Sequence, residues 1–310
     1  MFGRLTRSHG LLHLIVFIWG WSPILGRAIE AQALQLVWFR IAITIIALLI
    51  YSAFIRKSLV TDKKTMAKLI GVGCMVAFHW YLFYNGIKVS NISVTLVGFS
   101  TATIFTSLIE PFFYKRKIIV YELLFGGIIF LAIGMIMYDD LSKSQIQVVD
   151  KHVNFTLGIV YGAGAAFTAS LFTVWNGMLI KKTNSSIITI YELGGGLLFL
   201  TLFLLLNGNL NNPGKFFSIS GWDYIYLSIL AIVGTAFPFI ASTNLLKQIS
   251  PYTITLTNNL ETVYGILLAA LLFSEHKQLN VLFYSATCII LMVIATNAIV
   301  KNYLEKKKVR

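Results

Sequence analysis

A glutamate stands inside a long apolar run of the sequence, at Glu261 in the segment NNLETVYG (258–265). The run extends from Pro251 to Phe273. A charged side chain at the centre of a bilayer costs roughly 2.5–3.5 kcal/mol on insertion scales, so such residues usually face a cavity or a partner. Asn258 precedes Glu261 by about one helical turn and shares its face. The pair indicates a site that binds a substrate amine or carries a proton. The alternative is a structural carboxylate that is hydrogen-bonded to hydroxyls of neighbouring helices.

Histidine and aromatic side chains form a second group of candidates. His79 lies in the middle of an apolar run, in FHWYLFYNG, and an imidazole can titrate near neutral pH. His79 is therefore a candidate for proton coupling beside Glu261, although a satisfied buried histidine is the alternative. Several Trp and Tyr residues stand away from the expected helix ends, where aromatic belts normally lie. These residues predict the lining of a cavity. Packing against lipid is an alternative of equal weight. The predicted substrate-binding residues are Trp19, Trp21, His79, Trp80, Tyr84, Trp175, Asn258, Glu261 and Tyr264.

Four further charges lie within or beside apolar runs. Arg40 could snorkel to the membrane surface, bind a substrate carboxylate or pair with an acid elsewhere. Glu192 lies in the counterpart of that helix, and the two charges are interpreted first as bundle contacts at opposite faces of the membrane. Glu110 and Glu122 stand near the basic residues 115–117, where pairing at the membrane interface explains them.

Common enzyme and metal motifs are missing from the sequence. There is no P-loop, HExxH or GxSxG pattern, and Cys74 and Cys288 have no metal-ligand spacing. We therefore expect no cofactor and no metal. The net charge of +13 could suggest a nucleic-acid partner, but the distribution of that charge favours the surface of a lipid bilayer.

The composition places these residues in a membrane protein. Hydrophobic residues make up 57% of the 310 positions and charged residues only 12%, whereas soluble domains carry roughly 25% charged residues. A helix that spans a bilayer needs about 20 mostly apolar residues. Runs of that length without alternation argue against barrel strands. The ten predicted spans are 9–26, 34–55, 66–87, 91–113, 118–138, 156–180, 185–206, 222–246, 251–273 and 281–300.

Lysine and arginine residues predict the orientation of the spans. With the N-terminus in the cytoplasm, 18 basic residues fall on the inner side and 6 on the outer side. This asymmetry fits the positive-inside rule. We therefore expect a multi-pass protein of the cell membrane with both termini in the cytoplasm, and the basic tail EKKKVR as an anchor on anionic lipid.

A long polar loop divides the ten spans into two groups of five. Because five is odd, a second copy of a five-helix unit would be inserted upside down. A shift of 159 residues places 85–105 over 244–264 and aligns Lys88 with Lys247. The fold class predicted is all-α integral membrane, with ten transmembrane helices as two inverted five-helix repeats. The predicted division is a first repeat at 1–138, an external loop at 139–155 and a second repeat with a cytoplasmic tail at 156–310.

These features together resemble the drug/metabolite transporter superfamily, specifically its EamA-type members. The resemblance rests on ten helices, the pair Trp19–Gly20, WFRIAI around Arg40, and LET-V followed by LLFSE in the ninth helix. The chain has Leu260–Glu261–Thr262 where family members often have Leu-Glu-Pro. The resemblance implies a secondary transporter that moves small metabolites, including amino acids, by alternating access.

Sequence and resemblance together predict an exporter of small organic metabolites with a central aromatic-lined cavity. Only Arg40 offers a deep cation, so a zwitterionic molecule such as an amino acid fits better than a phosphorylated one. A membrane-embedded enzyme is an alternative, and Glu110 with its basic neighbours is its best catalytic pair. A non-transporting membrane scaffold is the other alternative. The sequence leaves the substrate, the coupling ion and the oligomeric state open.

Overall fold

In the computed structural model, every regular element of the described chain is helical. The described residues are 2–115, 117–144, 154–208, 213–277 and 279–309. A π-helical turn covers Ile232–Ala236, and a 3-10 turn covers Glu275–Lys277. The α-helices are α1 (Phe2–Gly20), α2 (Ser22–Ala28), α3 (Ala33–Phe54), α4 (Lys63–Val89), α5 (Ile92–Phe99), α6 (Ala102–Tyr114), α7 (Val120–Ser144), α8 (Phe155–Leu179), α9 (Ser185–Leu206), α10 (Pro213–Phe217), α11 (Gly221–Ala231), α12 (Phe237–Leu245), α13 (Pro251–Phe273) and α14 (Val281–Val309).

The predicted spans coincide with these helices. Among the described residues, eight helical segments are long and apolar enough to cross a membrane. The two remaining predictions, 118–138 and 281–300, fall on α7 and α14, whose apolar stretches Leu123–Ile136 and Val281–Asn297 are shorter. The all-helical membrane fold is therefore confirmed. The repeat boundaries at 138 and 156 stay a prediction, and most of the loop 139–155 lies outside the described residues.

Three of the predicted spans are interrupted along their length. The first breaks at Trp21, and Pro23 occupies the first turn of α2, where its missing N–H is not needed. The second breaks at Ser100–Thr101, whose hydroxyls donate to carbonyl oxygens three residues earlier. The third contains the π turn Ile232–Ala236, followed by Pro238. Such breaks are tolerated in a membrane when nearby groups satisfy the freed backbone.

Glycines bring α4 and α9 into backbone contact. A Cβ on Gly195 would overlap the backbone of Ile70, and a Cβ on Gly73 would overlap the backbone of Glu192. Gly194 differs, since a Cβ there would meet nothing within 4 Å. Small residues at such interfaces allow close packing without a hydrophobic driving force. The contact fixes the turn of α9 that carries Glu192 against α4.

Two carboxylates connect the fourth predicted span to the ninth. Glu110, in the last turn of α6, accepts the backbone N–H of Tyr252 at the start of α13 at 3.1 Å. Glu275, just after α13, accepts the N–H groups of Ile92 and Ser93 at the start of α5, at 3.0 Å each. Helix N-termini favour carboxylates because their first N–H groups lack intrahelical acceptors. Segment α5–α6 and helix α13 are therefore antiparallel, as two inverted repeats would require; the inversion itself stays a prediction.

In the first half, the residue that caps a helix start is not the one that the repeat shift aligns with Glu275. The shift of 159 residues pairs Glu275 with Arg116, whereas the equivalent capping contact in the first half is made by Glu110. Glu110 thus binds a helix N-terminus in addition to standing near basic residues. The side chain of Glu122 and all of Arg116 lie outside the described residues.

Polar residues at the helix starts satisfy backbone N–H groups. Asn91, Asn154 and Asn184 each accept a hydrogen bond from the residue three positions later. Asp62 does the same for Thr65 at 2.9 Å. Hydrogen bonds from the Thr65 side chain and backbone hold the pKa of the exposed Asp62 below its usual value. These caps define where α4, α5, α8 and α9 begin.

Candidate functional site

A cavity lies among α1, α2, α3, α4, α5, α6, α8, α12 and α13. Its empty volume is about 900 Å³, counting the space that opens to solvent. Ligand sites are usually concave and largely apolar, with a few polar groups that fix orientation. This cavity has that character. Its lining residues are Trp19, Ser22, Arg40, His79, Trp80, Phe83, Phe99, Ala102, Ala169, Phe172, Thr173, Asn176, Phe239, Ser242, Thr243, Leu246, Ile254, Thr255, Asn258, Asn259 and Glu261.

Helix α13 contributes the acidic wall of the cavity. Glu261 is buried, and Asn258 lies one turn before it in the same lining. The neighbouring Asn259 donates from Nδ2 to the Thr103 hydroxyl of α6 at 2.5 Å, which fixes this turn of α13 against α6. Among the described residues, the Glu261 carboxylate accepts no hydrogen bond and lies within 4 Å of no cationic nitrogen. It is thus a buried acid that a ligand can reach.

Arg40 contributes the basic wall from α3 and is only 2% exposed. Its Nε donates to the Thr235 hydroxyl at 2.8 Å, and its Nη1 donates to the Tyr84 hydroxyl at 2.7 Å. Its guanidinium carbon lies 4.1 Å from the centre of the Trp80 ring, a cation–π distance. Arg40 therefore binds within the bundle and does not snorkel to the membrane surface. Its other N–H groups have no acceptor among the described residues.

Arg40 and Glu261 form an open pair of opposite charges. Each is within electrostatic reach of the other, yet no direct ion pair joins them in the described part of the chain. A charge buried in a membrane protein normally pairs with another or faces a water-filled cavity. Since both line the same cavity, the arrangement can receive a molecule that carries an anion and a cation at its two ends.

His79 lies on the aromatic side of the cavity. Its Nδ1 is 2.8 Å from the Ala165 carbonyl oxygen, so Nδ1 carries the proton in that contact. Its ring centre lies 5.5 Å from that of Phe172 and 5.6 Å from that of Phe99. The Trp80 ring packs against Phe239 at 5.7 Å. His79 is therefore held by α8 and by aromatic rings, while its surface reaches the cavity.

The structure brings five of the nine predicted site residues to one cavity, and these are Trp19, His79, Trp80, Asn258 and Glu261. The other four lie outside the lining. Trp21 stands at the helix break and is 40% exposed, and Tyr84 lies behind Arg40 with no exposed surface. The Trp175 ring packs on Phe113 at 5.7 Å, and the Tyr264 ring packs on Phe17 at 5.5 Å. Their roles in binding stay a prediction.

Several lining residues are not among the predicted site residues. Phe172 and Phe239 belong to apolar runs and carry no polar signal that separates them from the core. Asn176, in VWNG, does carry one, because a buried amide in a membrane span needs partners. Asn259 was visible in the sequence beside Glu261, but only the packing on Thr103 shows which of its faces is buried. In the described residues, no group of three His, Cys, Asp or Glu side chains is placed to hold a metal ion.

Comparison with known families identifies the architecture. The sequence pattern of the EamA-like transporter family matches residues 7–138 and again residues 156–299. The chain belongs to the EamA-like transporter family. This membership confirms the resemblance to the drug/metabolite transporter superfamily and its two-repeat architecture, and it makes the chain a multi-pass membrane transporter.

Comparison with solved structures supports the fold of this EamA-like transporter and nothing further. One solved structure, titled "Crystal structure of protein", is similar with a TM-score of 0.64 and 12% sequence identity. The match covers 97% of this chain and 99% of that one. No curated protein matches the sequence. A similarity at this identity supports the helix arrangement and carries nothing about substrate.

Proposed function

We propose that this EamA-like transporter exports small zwitterionic metabolites, such as amino acids, by alternating access at the central cavity. The observation that carries the proposal is that Arg40 and Glu261 line one cavity without a direct ion pair between them in the described chain. A substrate carboxylate would bind Arg40, and a substrate amine would bind Glu261. Family membership supports the role of transporter, and the two side chains support the proposed substrate class.

The charges of the cavity favour a zwitterion over the other small metabolites. A phosphorylated substrate needs several cationic donors, and Arg40 is the single cation in the lining of the described residues. A purely apolar substrate would leave both buried charges unpaired, at a cost of several kcal/mol in the binding step. The aromatic rings around His79 and Trp80 would contact the apolar part of the substrate.

Alternating access would arise from movement of one half of the chain against the other. The three interrupted spans are places where a helix can bend. Arg40 is connected to two of them by hydrogen bonds. Its partner Tyr84 is 2.9 Å from the Ser22 hydroxyl at the first break, and Thr235 belongs to the π turn. Glu261 and His79 are proposed as proton-coupling residues, since both reach the cavity and can gain or lose a proton.

Counterflow in proteoliposomes tests the substrate class. Purified protein is loaded with an unlabelled amino acid and offered the labelled one, then the decarboxylated amine and the deaminated acid of the same side chain. The proposal expects counterflow of the amino acid and weak counterflow of either analogue. Arg40→Gln should lose discrimination against the amine, and Glu261→Gln should lose discrimination against the acid.

A matched control is Glu30→Gln, an exposed acid outside the cavity, which should transport as wild type does. Equal transport of all three compounds by the wild type would remove the zwitterion site. No counterflow of any small metabolite would favour a non-transporting scaffold, and chemical conversion of the probe would favour a membrane-embedded enzyme. The direction is tested in cells preloaded with the labelled amino acid, which should lose it faster when the protein is expressed.

The proposed orientation places both termini in the cytoplasm of a cell membrane. With Cys74 and Cys288 replaced by serine, a cysteine at exposed Ser218 should react with an impermeant reagent applied to intact cells. A cysteine at Val60, which is 83% exposed, should react only after lysis. The opposite pattern would reverse the orientation while leaving the substrate proposal intact.

A further inference from the structure

Glu192 is a second buried acid, and the proposed substrate site does not use it. It lies on α9 with no exposed surface. The Nδ2 of Asn176 donates to its Oε2 at 3.1 Å. Its other oxygen, Oε1, has no hydrogen-bond partner in the described chain, and neither has Oδ1 of Asn176, which is itself 2% exposed. Two buried acceptors on one hydrogen-bonded pair are thus left without a donor.

This pattern is the one expected for a carboxylic acid facing a primary amide. An ionised carboxylate only accepts hydrogen bonds, whereas a protonated one also donates one. If Oε1 carries a proton, it can donate to Oδ1 of Asn176 while Nδ2 donates to Oε2, and both unpartnered atoms are satisfied by one hydrogen. The ionised form would instead leave Oε1 and Oδ1 unpaired in a dry site, at the cost of their desolvation.

Among the described residues, no cationic nitrogen lies within 4 Å of the Glu192 carboxyl group. On α3, Arg40 is bound to Thr235 and Tyr84, and on α8 the titratable side chain is Tyr161. Helix α12 carries no acid or base. On α4, Lys68 is exposed, Cys74 is bound to the Ile70 carbonyl and His79 is bound to the Ala165 carbonyl. On α9 itself, Tyr191 is bound to the Leu59 carbonyl. In the segment before α4, Lys57 is bound to the Ser186 hydroxyl.

The pair also has a route to the cavity. Asn176 lines the cavity, while Glu192 lies behind it and is fixed by the backbone contact of its turn with Gly73. Rotation of the Asn176 amide would open Oε1 to water in the cavity. Thr189, one turn before Glu192 on α9, has a third buried oxygen without a partner among the described residues and can accept or donate during that exchange.

We infer that Glu192 and Asn176 form a proton-binding site that is distinct from Glu261. This site exchanges its proton with water in the cavity. In the occupied form the proton is covalently bound to Oε1 and donated to Oδ1 of Asn176. On release the O–H bond breaks, its electron pair stays on Oε1, and the proton passes to water in the cavity. The coupling of this release to transport rests on the proposed function; the protonation itself does not.

Infrared difference spectroscopy on the purified full chain in lipid tests protonation without any substrate. Spectra recorded between neutral and alkaline pH should show loss of a carboxylic acid C=O band and gain of a carboxylate band. The change should persist in Glu261→Gln, and adding Glu192→Gln to that variant should remove it. Asn176→Ala retains the acid and should shift the frequency of the band, because its hydrogen-bond acceptor is gone. The Asn176 variant keeps the test open if Glu192→Gln fails to fold.

Other infrared results would contradict the proposed proton site. An unchanged band in Glu192→Gln would overturn the assignment, and an acid band that persists at every pH would make Glu192 a permanently neutral structural group. A carboxylate band that shifts with Na⁺ at constant pH would mean that the site holds a metal cation and would also overturn the proposal. Loss of counterflow activity with an intact infrared result would remove the proposed function and leave the proton site standing.

Discussion

Arg40 on α3 and Glu192 on α9 are buried ionisable residues in the second predicted helix of each half, but their surroundings differ. Arg40 has two hydrogen-bond acceptors and a Trp80 ring over its guanidinium. Glu192 has one donor and one oxygen without a partner in the described chain. Arginine stays charged at any physiological pH and therefore needs permanent partners. A glutamate can become neutral, so its site can remain incomplete until a proton binds.

The packing of the two helices also differs in the kind of contact that each one makes. Helix α3 contacts α9 through large side chains, as in the hydrogen bond of 3.0 Å from Trp38 to Thr201. Helix α9 lies on α4 through Gly195 and Gly196 with backbone in contact with backbone. Arg40 is held by side chains, whereas Glu192 lies on a turn whose backbone contacts Gly73 of α4. This difference supports the proposed assignment of Arg40 to substrate and of Glu192 to a proton.

The largest expected effect comes from breaking the backbone contact of α9. Gly195→Ala places a Cβ on the Ile70 backbone, which cannot move aside, and should cost about 3 kcal/mol of stability, the upper end of the range for overpacking. Gly194→Ala is the matched control, because nothing lies within 4 Å of its Cβ. It should be neutral or stabilising by up to about 1 kcal/mol. Thermal unfolding of both variants in detergent measures the difference, and equal stabilities would contradict the close contact.

The next effect concerns substrate affinity at Arg40. Arg40→Gln removes the proposed charge-assisted hydrogen bond to a substrate carboxylate, worth roughly 1.5–3 kcal/mol, so affinity should fall about 10- to 150-fold. Folding should change little, since the Tyr84 hydroxyl still has Ser22 as a partner and the Thr235 hydroxyl still donates to Leu230. Binding of a transported amino acid by calorimetry checks both. Unchanged affinity would make Arg40 a purely structural residue.

Glu192 should respond to the chemistry of its replacement. Glu192→Gln resembles the protonated acid in shape and hydrogen-bonding groups, and its unfolding temperature should equal that of wild type near neutral pH. Glu192→Ala leaves the Asn176 amide unpaired and should cost about 1–3 kcal/mol. Unfolding temperatures of the two variants, compared at the same pH, measure this. A stability loss in Glu192→Gln as large as that in Glu192→Ala would mean that the carboxylate is ionised in the folded protein.

The smallest effect is expected at Tyr84, which supports Arg40 from outside the cavity. Tyr84→Phe removes the hydroxyl that accepts from Arg40 at 2.7 Å and contacts Ser22 at 2.9 Å. A loss of about 1 kcal/mol of stability follows from one typical hydrogen bond. Substrate affinity should fall less than in Arg40→Gln, because the guanidinium remains over the Trp80 ring. An effect larger than that of Arg40→Gln would place Tyr84 itself in contact with substrate.

Some of the candidate site could be predicted from residue types and helical spacing. Glu261 and Asn258 share a face by spacing along one helix, and both line the cavity. The caps at Asn91, Asn154 and Asn184 also depend on residues three positions away. The partners of Arg40 could not be predicted in this way, because Thr235 lies 195 residues along the chain. The positions of the aromatic residues could not be predicted either, because they also depend on distant helices. Trp80 lines the cavity and Trp175 does not, although both lie inside apolar runs.

The sequence by itself determined the membrane fold, the approximate limits of the spans and the residues whose burial is costly. Each of these depends on transfer of a local segment from water to the bilayer, which is a property of neighbouring residues. Only the tertiary structure decided which polar atoms meet. Whether Arg40 receives two partners and Glu192 one depends on the rotation and separation of helices far apart in the chain, and those are set by the glycine contacts between α4 and α9 and by the capping of α13 and α5 by Glu110 and Glu275.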